Sequence, residues 1–259
     1  MTHRWGMTVD LDRCTGCEAC VTACRTENNI RIAGPEQAAK GRSIAWIRVE
    51  RYYEGEFPDV RVKFRPVMCQ QCDAAPCEPV CPTYASHHNE EGLNAQVYNR
   101  CIGTRYCANA CPYNVRFFNF GNPVWDRPLE LPLNPDVSVR EVGVVEKCTF
   151  CVQRITAGKD QAKAEKRELK DGEIKPACAQ SCPTSAIVFG DLNDPESEVS
   201  RLSRSSRGRK LLDELGTQPK VTYLQKPPVA PTARSTVLKV LPSSNETCRS
   251  QPSFASAAQ

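Results

Sequence analysis

Fifteen of the sixteen cysteines in this 259-residue chain fall into four tight groups whose spacing is of a kind that holds metal. A cysteine thiolate is a soft ligand that suits iron in iron–sulfur clusters. In a C-x2-C-x2-C run, three thiolates of one loop hold one cluster, and a further cysteine before a proline ligates the cluster of a paired run. The pattern therefore predicts iron–sulfur clusters, held by the groups 14/17/20/24, 69/72/77/81, 101/107/111 and 148/151/178/182.

The four groups are variants of one unit. The first has the spacing C-x2-C-x2-C-x3-C without deviation, whereas the second has four residues between Cys72 and Cys77. The fourth has 26 residues between Cys151 and Cys178, an insertion that costs little because the entropy of loop closure grows only with the logarithm of length. Each group ends in C-x3-C and a proline follows in three of them, which indicates duplication of a two-cluster module.

The third group, CIGTRYCANACPYN, has Thr104 where the spacing calls for a cysteine. Four clusters with four thiolates each need sixteen ligands, and the groups supply fifteen. A threonine hydroxyl is a poor replacement for a thiolate on iron, so we expect three [4Fe–4S] clusters and one [3Fe–4S] cluster with an open corner at Thr104. The alternatives are a [4Fe–4S] cluster with a non-cysteine ligand, a different register of the motif, and recruitment of Cys248, which would require an ordered tail.

Structural zinc and disulfides are the competing interpretations of so many cysteines. Zinc takes four ligands, usually as two pairs, and triplets followed by C-x3-C-P fit that arrangement poorly. Cysteines two residues apart are badly placed to pair with one another in disulfides. Both interpretations are weaker than iron–sulfur binding.

Composition narrows the function classes. Hydrophobic residues make up 40% and charged residues 25% of the chain, which is typical of a soluble globular protein. The formal charge of +4 comes without a basic stripe interleaved with aromatics, so nucleic acid is not favoured. The N-terminus lacks the pattern of a signal peptide, and no apolar run approaches the roughly 18 residues of a transmembrane helix. We therefore expect any membrane association to come through a partner.

Short elements must position the cysteines. The segments GMTVDLD and AIVFGDL predict strands, the second of them buried. Two hairpins are expected, one over residues 44–65 and one in HHNEEGLNAQVYNR. The charged stretch KDQAKAEKRELK predicts a solvated helix without an apolar face. The last 35 or so residues have the composition of a flexible tail or of an arm that wraps a partner.

Four longer segments carry a family resemblance: RWGMTVDLDRCTGCEACVTACRTENNI, CIGTRYCANACPYNVR, EKCTFCVQR and PACAQSCPTSAIVFGDLNDP. Residues 5–225 thus resemble the four-cluster iron–sulfur subunits of complex iron–sulfur molybdoenzymes, such as dimethyl sulfoxide, polysulfide and nitrate reductases. The likeness is greatest to the iron–sulfur parts of the quinone reductase (menaquinone reductase) complex of sulfate reducers and of alternative complex III.

The resemblance implies a nested pairing of the groups, which spacing alone leaves open. Groups one and four would share two [4Fe–4S] clusters, and groups two and three would share the other two clusters. The [4Fe–4S] sets would be Cys14, Cys17, Cys20 with Cys182; Cys148, Cys151, Cys178 with Cys24; and Cys69, Cys72, Cys77 with Cys111. The [3Fe–4S] set would be Cys101, Cys107 and Cys81, with the open corner at Thr104.

The same resemblance implies an α+β fold of two intertwined ferredoxin-like two-cluster modules with hairpin insertions and a loop-rich C-terminal arm. One module would comprise residues 1–30 and 140–195, and the other would comprise residues 66–120. Between and after them would lie a hairpin insertion at 31–65, a connecting loop at 121–139, and a C-terminal extension at 196–259 that wraps a partner or is flexible.

Partners and location are likewise implied by the resemblance. The partners would be a molybdopterin-oxidoreductase-like subunit, a polysulfide-reductase-type integral membrane subunit that binds quinone, and a multihaem cytochrome c. The chain would lie on the periplasmic face of the cytoplasmic membrane after export with a partner, the cytoplasmic face being the alternative. In related nitrate reductases the three-cysteine site is nearest the quinone, so Thr104 would mark the membrane end.

Three functions remain open at this point. The first is an electron relay between a cytochrome c-linked donor and a quinone-reactive membrane subunit. The second is the iron–sulfur subunit of a molybdopterin reductase, and the third is a soluble polyferredoxin, which would not need long extra segments for docking. No nucleophile–base set and no phosphate-binding glycine loop is present, so we expect the chain to perform no bond-making of its own.

Overall fold

The structure is a computed structural model that describes residues 3–225. Helices and strands alternate in short pieces, which makes the fold an α+β fold. The strands are β1 (Trp5–Asp10), β2 (Ile47–Glu54), β3 (Arg61–Met68), β4 (Ser86–His88), β5 (Asn94–Gln96), β6 (Phe117–Phe118), β7 (Val145–Glu146), β8 (Ile187–Asp191), β9 (Gly208–Arg209) and β10 (Val221–Leu224). The helices are α1 (Ala19–Glu27), α2 (Pro35–Ala39), α3 (Tyr106–Asn109), α4 (Val152–Ala164), α5 (Ala177–Gln180) and α6 (Glu198–Ser203).

The central sheet has four strands in the order β8–β1–β10–β9. β8 runs antiparallel to β1, with Trp5 opposite Asp191, and β10 runs parallel to it, with Met7 opposite Val221. Because β1 is paired on both edges, its first five residues are buried and read as a nearly continuous apolar run. The two predicted strands, GMTVDLD and AIVFGDL, are thus confirmed as β1 and β8.

Both predicted hairpins are present. β2 and β3 pair antiparallel from Ile47 opposite Met68 to Glu54 opposite Arg61. Residues 51–63 are exposed while Ile47 and Met68 are buried, so this ribbon projects from the core and is held at its base. β4 and β5 form the second hairpin, and β6 pairs with β7 in a third ribbon that the sequence analysis did not predict.

Four helices begin inside or directly after the cysteine groups. α1 carries Cys20 and Cys24, α3 carries Cys107, α4 begins after Cys151, and α5 carries Cys178. In α1, α3 and α4 the residue before the helix has a left-handed φ, so the chain reverses there and enters the helix at once. None of the helices in residues 3–225 is long and apolar enough to cross a bilayer.

The helix predicted over the charged stretch begins and ends earlier in the chain than expected. α4 starts at Val152 and ends at Ala164, so it includes only the first part of KDQAKAEKRELK. Ile155 and Ala162 are buried on its inner face. The helix therefore has a buried side, because Ile155 precedes the charged stretch and Ala162 lies within it, whereas the other residues of the stretch inside the helix are exposed, as the prediction of a solvated helix requires.

Residues 198–224 correct the prediction of a C-terminal extension that wraps a partner or is flexible. β9 and β10 belong to the central sheet, and Val221 and Leu224 are buried. The Tyr223 hydroxyl donates to the Pro66 carbonyl oxygen at 2.9 Å and accepts from Gln70 Nε2 at 3.2 Å. The rest of the predicted extension, with Cys248, lies outside the described residues.

Tyr223→Phe is expected to destabilise the fold, because the Pro66 carbonyl would be left buried without its donor. We expect the free energy of unfolding to fall by roughly 1–3 kcal/mol, the cost of an unsatisfied buried polar group. The measurement is anaerobic chemical denaturation followed by circular dichroism. The control is Tyr53→Phe, since Tyr53 is 68% exposed on the projecting ribbon. Equal stability of the two variants would contradict the assignment of β10 to the core.

Candidate iron–sulfur sites

All fifteen cysteines between residues 3 and 225 are free thiols. Ten are buried, four are half-buried and only Cys17 is exposed, so sulfur forms part of the protein interior. No three Cys, His, Asp or Glu side chains in this part of the chain are close enough to hold one metal ion. A single ion draws its sulfur ligands to about 2.3 Å from itself, whereas a cubane holds them further apart on separate iron corners. The effect of each thiolate charge on its neighbours indicates which thiols lie near one another, and some of these effects connect different sets, as those of Cys69 on Cys148 and of Cys20 on Cys178 do.

The first set of thiols joins the first cysteine group to the last cysteine of the fourth group. Burial raises the pKa of Cys20 to about 12, and the charges of Cys14, Cys182 and Cys17 act in the same direction. Burial also raises the pKa of Cys14, with Cys182 and Cys17 again adding to the effect. The pairing of β1 with β8 brings the two parts of the chain together.

The second set joins Cys24 to the rest of the fourth group. Burial raises the pKa of Cys24 well above its ordinary value, and the charges of Cys148, Cys151 and Cys178 add to this. The buried amide of Asn28 lies against two of these sulfurs. Its Nδ2 is 3.6 Å from Cys24 Sγ and 3.7 Å from Cys151 Sγ, and it donates to both.

The third set joins the second group to the last cysteine of the third group. Burial raises the pKa of Cys77 to about 11, and Cys69 and Cys111 add to this rise while Arg116 and Lys147 oppose it. Burial likewise raises the pKa of Cys72 to about 12, against hydrogen bonds from two hydroxyl groups. Those hydroxyls form a pair of their own, 2.5 Å apart, and belong to Tyr113 and Thr217.

Of the last three thiols, Cys81 and Cys107 are connected through shared neighbours, and Cys101 has a backbone contact of its own. A backbone N–H of β7 donates to Cys101 Sγ at 3.3 Å. Burial acts to raise the pKa of Cys81, but backbone hydrogen bonds, beginning with that from Ser86, lower it overall. The Ser86 hydroxyl accepts from Arg116 Nη1 at 2.8 Å. Burial lowers the pKa of Arg116, but nearby thiolates, Cys107 among them, raise it overall.

Thr104 has the same place in its loop as Cys17 has in the first loop. CTGCEAC and CIGTRYC both have a glycine at the third position, with φ of 69° and 73°. The residue before the helix is also left-handed in both, with φ of 60° at Glu18 and 64° at Arg105. A Cβ on Gly103 would lie 2.3 Å from a carbonyl oxygen, so only glycine fits there. The loop backbone is thus retained while a hydroxyl replaces the thiol.

Three cysteine–proline pairs form one kind of turn, in CPTYA, CPYNV and CPTSA. The fourth residue has a positive φ of 54°, 52° and 48° respectively. The N–H of the fifth residue donates to the sulfur, at 3.2 Å for Cys81 and 3.3 Å for Cys182, and at Cys111 it opposes the rise in pKa that burial causes. The repeated CPTxA was a usable sequence signal, since the Thr83 and Thr184 hydroxyls lie 3.7 and 3.6 Å from the sulfurs.

Other side chains beside the sulfurs had no sequence signal. The side chains of Asn28, Arg116 and Lys147 are buried. Asn28 donates to Cys151 Sγ, and the charges of Arg116 and Lys147 oppose the rise in the pKa of Cys77. Asn28 and Cys151, for example, are 123 residues apart in the chain. Only the tertiary structure brings such pairs together.

Apolar side chains surround the Thr104 loop on the protein surface. Ile102 is 67% exposed, Tyr106 is 59% exposed and Phe120 is 40% exposed. The Arg42 guanidinium lies 4.5 Å from the centroid of the Phe120 ring. Thr104, Tyr106 and Phe120 also line a cavity of about 540 Å³. A concentration of exposed apolar groups of this kind indicates an interaction surface.

The donor set fits iron–sulfur clusters. In residues 3–225 the thiols are free, are gathered away from water, and receive N–H donors at sulfur. Buried thiolates repel one another, so they require cations, and cluster iron supplies them. When bound, the clusters supply one-electron redox chemistry.

The comparisons with known proteins agree with this chemistry. Residues 13–85 and residues 60–127 each match the family of 4Fe–4S dicluster domains. The chain is 46% identical, over 86% of its length and 89% of the relative's, to the iron–sulfur cluster-binding subunit of menaquinone reductase from Nitratidesulfovibrio vulgaris. It is 39% identical to the Hdr-like menaquinol oxidoreductase iron–sulfur subunit 1 of Archaeoglobus fulgidus, over 85% and 83% of the two chains.

A third relative is the iron–sulfur subunit of the arsenate respiratory reductase of a Shewanella species, 36% identical over 86% of this chain and 96% of the relative. All three relatives are iron–sulfur subunits of oxidoreductases. Electron transfer through iron–sulfur clusters is accordingly the function of this chain. The free thiols, the two matches to 4Fe–4S dicluster domains and the identity to these relatives show that the chain belongs to the family of iron–sulfur subunits of oxidoreductase complexes.

Proposed function

We propose that the chain relays single electrons through three [4Fe–4S] clusters and one [3Fe–4S] cluster in a quinone-linked respiratory complex. The donor would be a cytochrome c-linked subunit, and the acceptor a quinone-reactive membrane subunit of the polysulfide-reductase type. The observation that carries the proposal is the gathering of free thiols into sets that combine different cysteine groups. The name of the 46% identical relative, a menaquinone reductase subunit, favours the quinone.

We propose four ligand sets, which the neighbours of most of the thiols support. Mutual electrostatic effects among three sets of four thiols support them as [4Fe–4S] sites. The shared neighbours Ser86 and Arg116 support Cys81 and Cys107 as members of the remaining site. The proposed sets are Cys14, Cys17, Cys20, Cys182; Cys24, Cys148, Cys151, Cys178; Cys69, Cys72, Cys77, Cys111; and Cys81, Cys101, Cys107.

The sets imply two intertwined modules, one built of residues 1–30 with 140–195 and one of residues 66–120. The pairing of β1 with β8 supports the first module, because it joins the two segments in one sheet. The hydrogen bonds of Arg116 to Ser86 and Gln96 support the second, because they connect its two cysteine groups.

We assign the [3Fe–4S] cluster to the set that includes Thr104's loop. That loop keeps the glycine and the left-handed residue of the Cys17 loop, which a decayed motif would have no reason to retain. A hydroxyl holds cluster iron weakly, so the corner facing Thr104 would remain open. Loss of one iron and one thiolate changes the net charge of the site and hence its reduction potential.

The Thr104 loop is proposed as the end of the relay that meets the membrane subunit. The exposed Ile102, Tyr106 and Phe120 support this, because a partner that covers them removes apolar surface from water. The remaining partners would be a molybdopterin-oxidoreductase-like subunit and a multihaem cytochrome c, on the periplasmic face of the membrane. The same surface disfavours a soluble polyferredoxin.

A second candidate is the iron–sulfur subunit of a molybdopterin reductase. The 36% identity to an arsenate respiratory reductase subunit favours it. Purification of the native complex, with metal analysis and haem staining, separates the two candidates. Bound molybdenum without a cytochrome would favour the second candidate, whereas haem c with menaquinone reduction is the result expected from the first.

Thr104→Cys is expected to convert the [3Fe–4S] cluster into a [4Fe–4S] cluster, because the new thiol supplies the missing ligand. Electron paramagnetic resonance of the oxidised protein should then lose the [3Fe–4S] signal, and iron content should rise by one per chain. Thr104→Ser, which keeps the hydroxyl, is the control and should retain the signal. A wild-type protein without a [3Fe–4S] signal would refute the assignment.

Asn28→Leu is expected to lower the reduction potential of a single [4Fe–4S] cluster, because two N–H···S hydrogen bonds are removed. The shift should be roughly 30–60 mV, which is a three- to tenfold change in the ratio of reduced to oxidised cluster. Anaerobic redox titration followed by electron paramagnetic resonance measures it, with the other clusters of the same sample as internal controls. A uniform shift of all clusters would contradict the local role of Asn28.

Ile102→Glu is expected to reduce binding of the chain to its membrane subunit, because the new carboxylate would be buried on docking. Copurification of the tagged membrane subunit should recover at least tenfold less of the variant, with cluster content unchanged. Leu215→Glu is the matched control. Leu215 is 53% exposed and does not line the cavity of Thr104, Tyr106 and Phe120. Undiminished binding of the Ile102 variant would place the membrane interface elsewhere.

A further inference from the structure

Two cations are buried beside the cysteine sulfurs without a carboxylate partner. Arg116 is 6% exposed and Lys147 is 0% exposed, and neither forms an ion pair with any residue that the structure describes. Two other buried cations are paired, since Arg140 lies 2.7 Å from Glu146 and Lys220 lies 2.5 Å from Asp73, whereas Arg31, which is 8% exposed, has a carbonyl oxygen as its partner. The absence of a carboxylate at Arg116 and Lys147 therefore needs a separate explanation.

Neutral acceptors satisfy the hydrogen bonds of the two cations but leave their charge uncompensated. Arg116 donates from Nη1 to Ser86 Oγ at 2.8 Å and to Gln96 Oε1 at 2.9 Å, and from Nη2 to Asn94 Oδ1 at 2.5 Å. Lys147 Nζ donates to the carbonyl oxygens of Asn94 and, at 3.0 Å, of its neighbour residue 148. An isolated buried charge is costly unless an anion is close.

Two carboxylates of this region, Glu78 and Glu146, have other partners. Glu78 accepts from the Asn94 side-chain amide and lies 2.8 Å from the His88 ring. Glu146 accepts from Arg140 and from Trp46 Nε1. Neither is at ion-pair distance from Arg116 or Lys147. The anions left for the two cations are the thiolates.

One set of thiols lies next to both cations. The charge of Arg116 opposes the rise in pKa that burial causes at Cys77 and Cys111, and the charge of Lys147 does the same at Cys77. Asn94, which receives hydrogen bonds from both cations, has its Oδ1 3.8 Å from Cys77 Sγ. Arg116 also lies near Cys107 of the three-thiol set, and Lys147 adjoins the set that contains residue 148. Arg116 is thus near thiols of this set and of the three-thiol set, and Lys147 is near thiols of this set and of the set that contains residue 148.

We propose that Arg116 and Lys147 are the counter-ions of the cluster held by Cys69, Cys72, Cys77 and Cys111, and that they raise its reduction potential. This rests on the ligand sets of the proposed function. A cluster with four thiolates is anionic, and reduction adds one further negative charge. Fixed positive charge in a low-dielectric interior stabilises the reduced form more than the oxidised form. The two residues therefore favour residence of the electron at this position of the relay.

The test removes each charge while keeping an unbranched side chain. Arg116→Gln and Lys147→Met remove it, and Arg116→Lys and Lys147→Arg keep it. The cluster is identified in the assembled complex as the [4Fe–4S] signal that Cys69→Ser abolishes, and its midpoint is measured by redox titration with electron paramagnetic resonance. Each charge-removing variant is expected to lower the reduced-to-oxidised ratio of this cluster at least tenfold, or about 59 mV.

A paired buried cation gives the matched control. The double variant Lys220→Met with Asp73→Asn removes an ion pair whose lysine is as buried as Lys147, without changing the net charge. It should leave the midpoint of this cluster in place. The cluster of Cys14, Cys17, Cys20 and Cys182 serves as the reference within each sample, and its midpoint should stay constant in every variant.

Each result separates the counter-ion role from the alternatives. Unchanged midpoints in fully loaded Arg116→Gln and Lys147→Met would overturn the proposal, as would a shift in the charge-keeping variants equal to that in the charge-removing ones. Iron analysis shows whether a variant has lost this cluster. Loss in the charge-removing variants alone, with the cluster retained in the charge-keeping variants, would support the counter-ion role. Failure of Cys69→Ser to abolish any single [4Fe–4S] signal would instead refute the ligand sets.

Discussion

The need to bring fifteen thiols together, ten of them buried, governs the construction of this protein. Burial and neighbouring thiolates raise the pKa of Cys20, Cys72 and Cys148 to about 12, which expresses the cost of placing several thiolates in a low-dielectric interior. Cluster iron offsets that cost, and backbone N–H groups, hydroxyls and buried cations reduce it further. Much of the remaining fold can be understood as the means of holding these donors in place.

Little regular structure is needed for this purpose. Short helices entered through left-handed residues, and cysteine–proline turns with an N–H directed at sulfur, fix each thiol locally. The central sheet supplies the long-range order, because β1 pairs with β8 on one edge and with β10 on the other. The chain segments that carry the first and last cysteines are thereby held together.

The thiol sets share this construction but differ in the polar groups around them. One set faces the amide of Asn28, another faces the hydroxyls of Tyr113 and Thr217 together with two buried cations, and the loop of a third has Thr104 in place of a thiol. Differences of this kind are the means by which a protein gives chemically similar clusters different potentials. A relay with direction requires such differences, since identical sites would not favour one end over the other.

From the sequence alone we can predict the iron–sulfur chemistry, the strands β1 and β8, both hairpins and the absence of a cysteine at Thr104. These are local matters: ligand spacing within one loop, alternation over a few residues, and turn residues between them. The sequence prediction misplaced helix α4 and missed β10, Asn28, Arg116 and Lys147. Each of these depends on tertiary contacts with a partner far along the chain. β10 becomes a core strand only beside β1, and the charges of Arg116 and Lys147 face thiols that come from other segments of the chain.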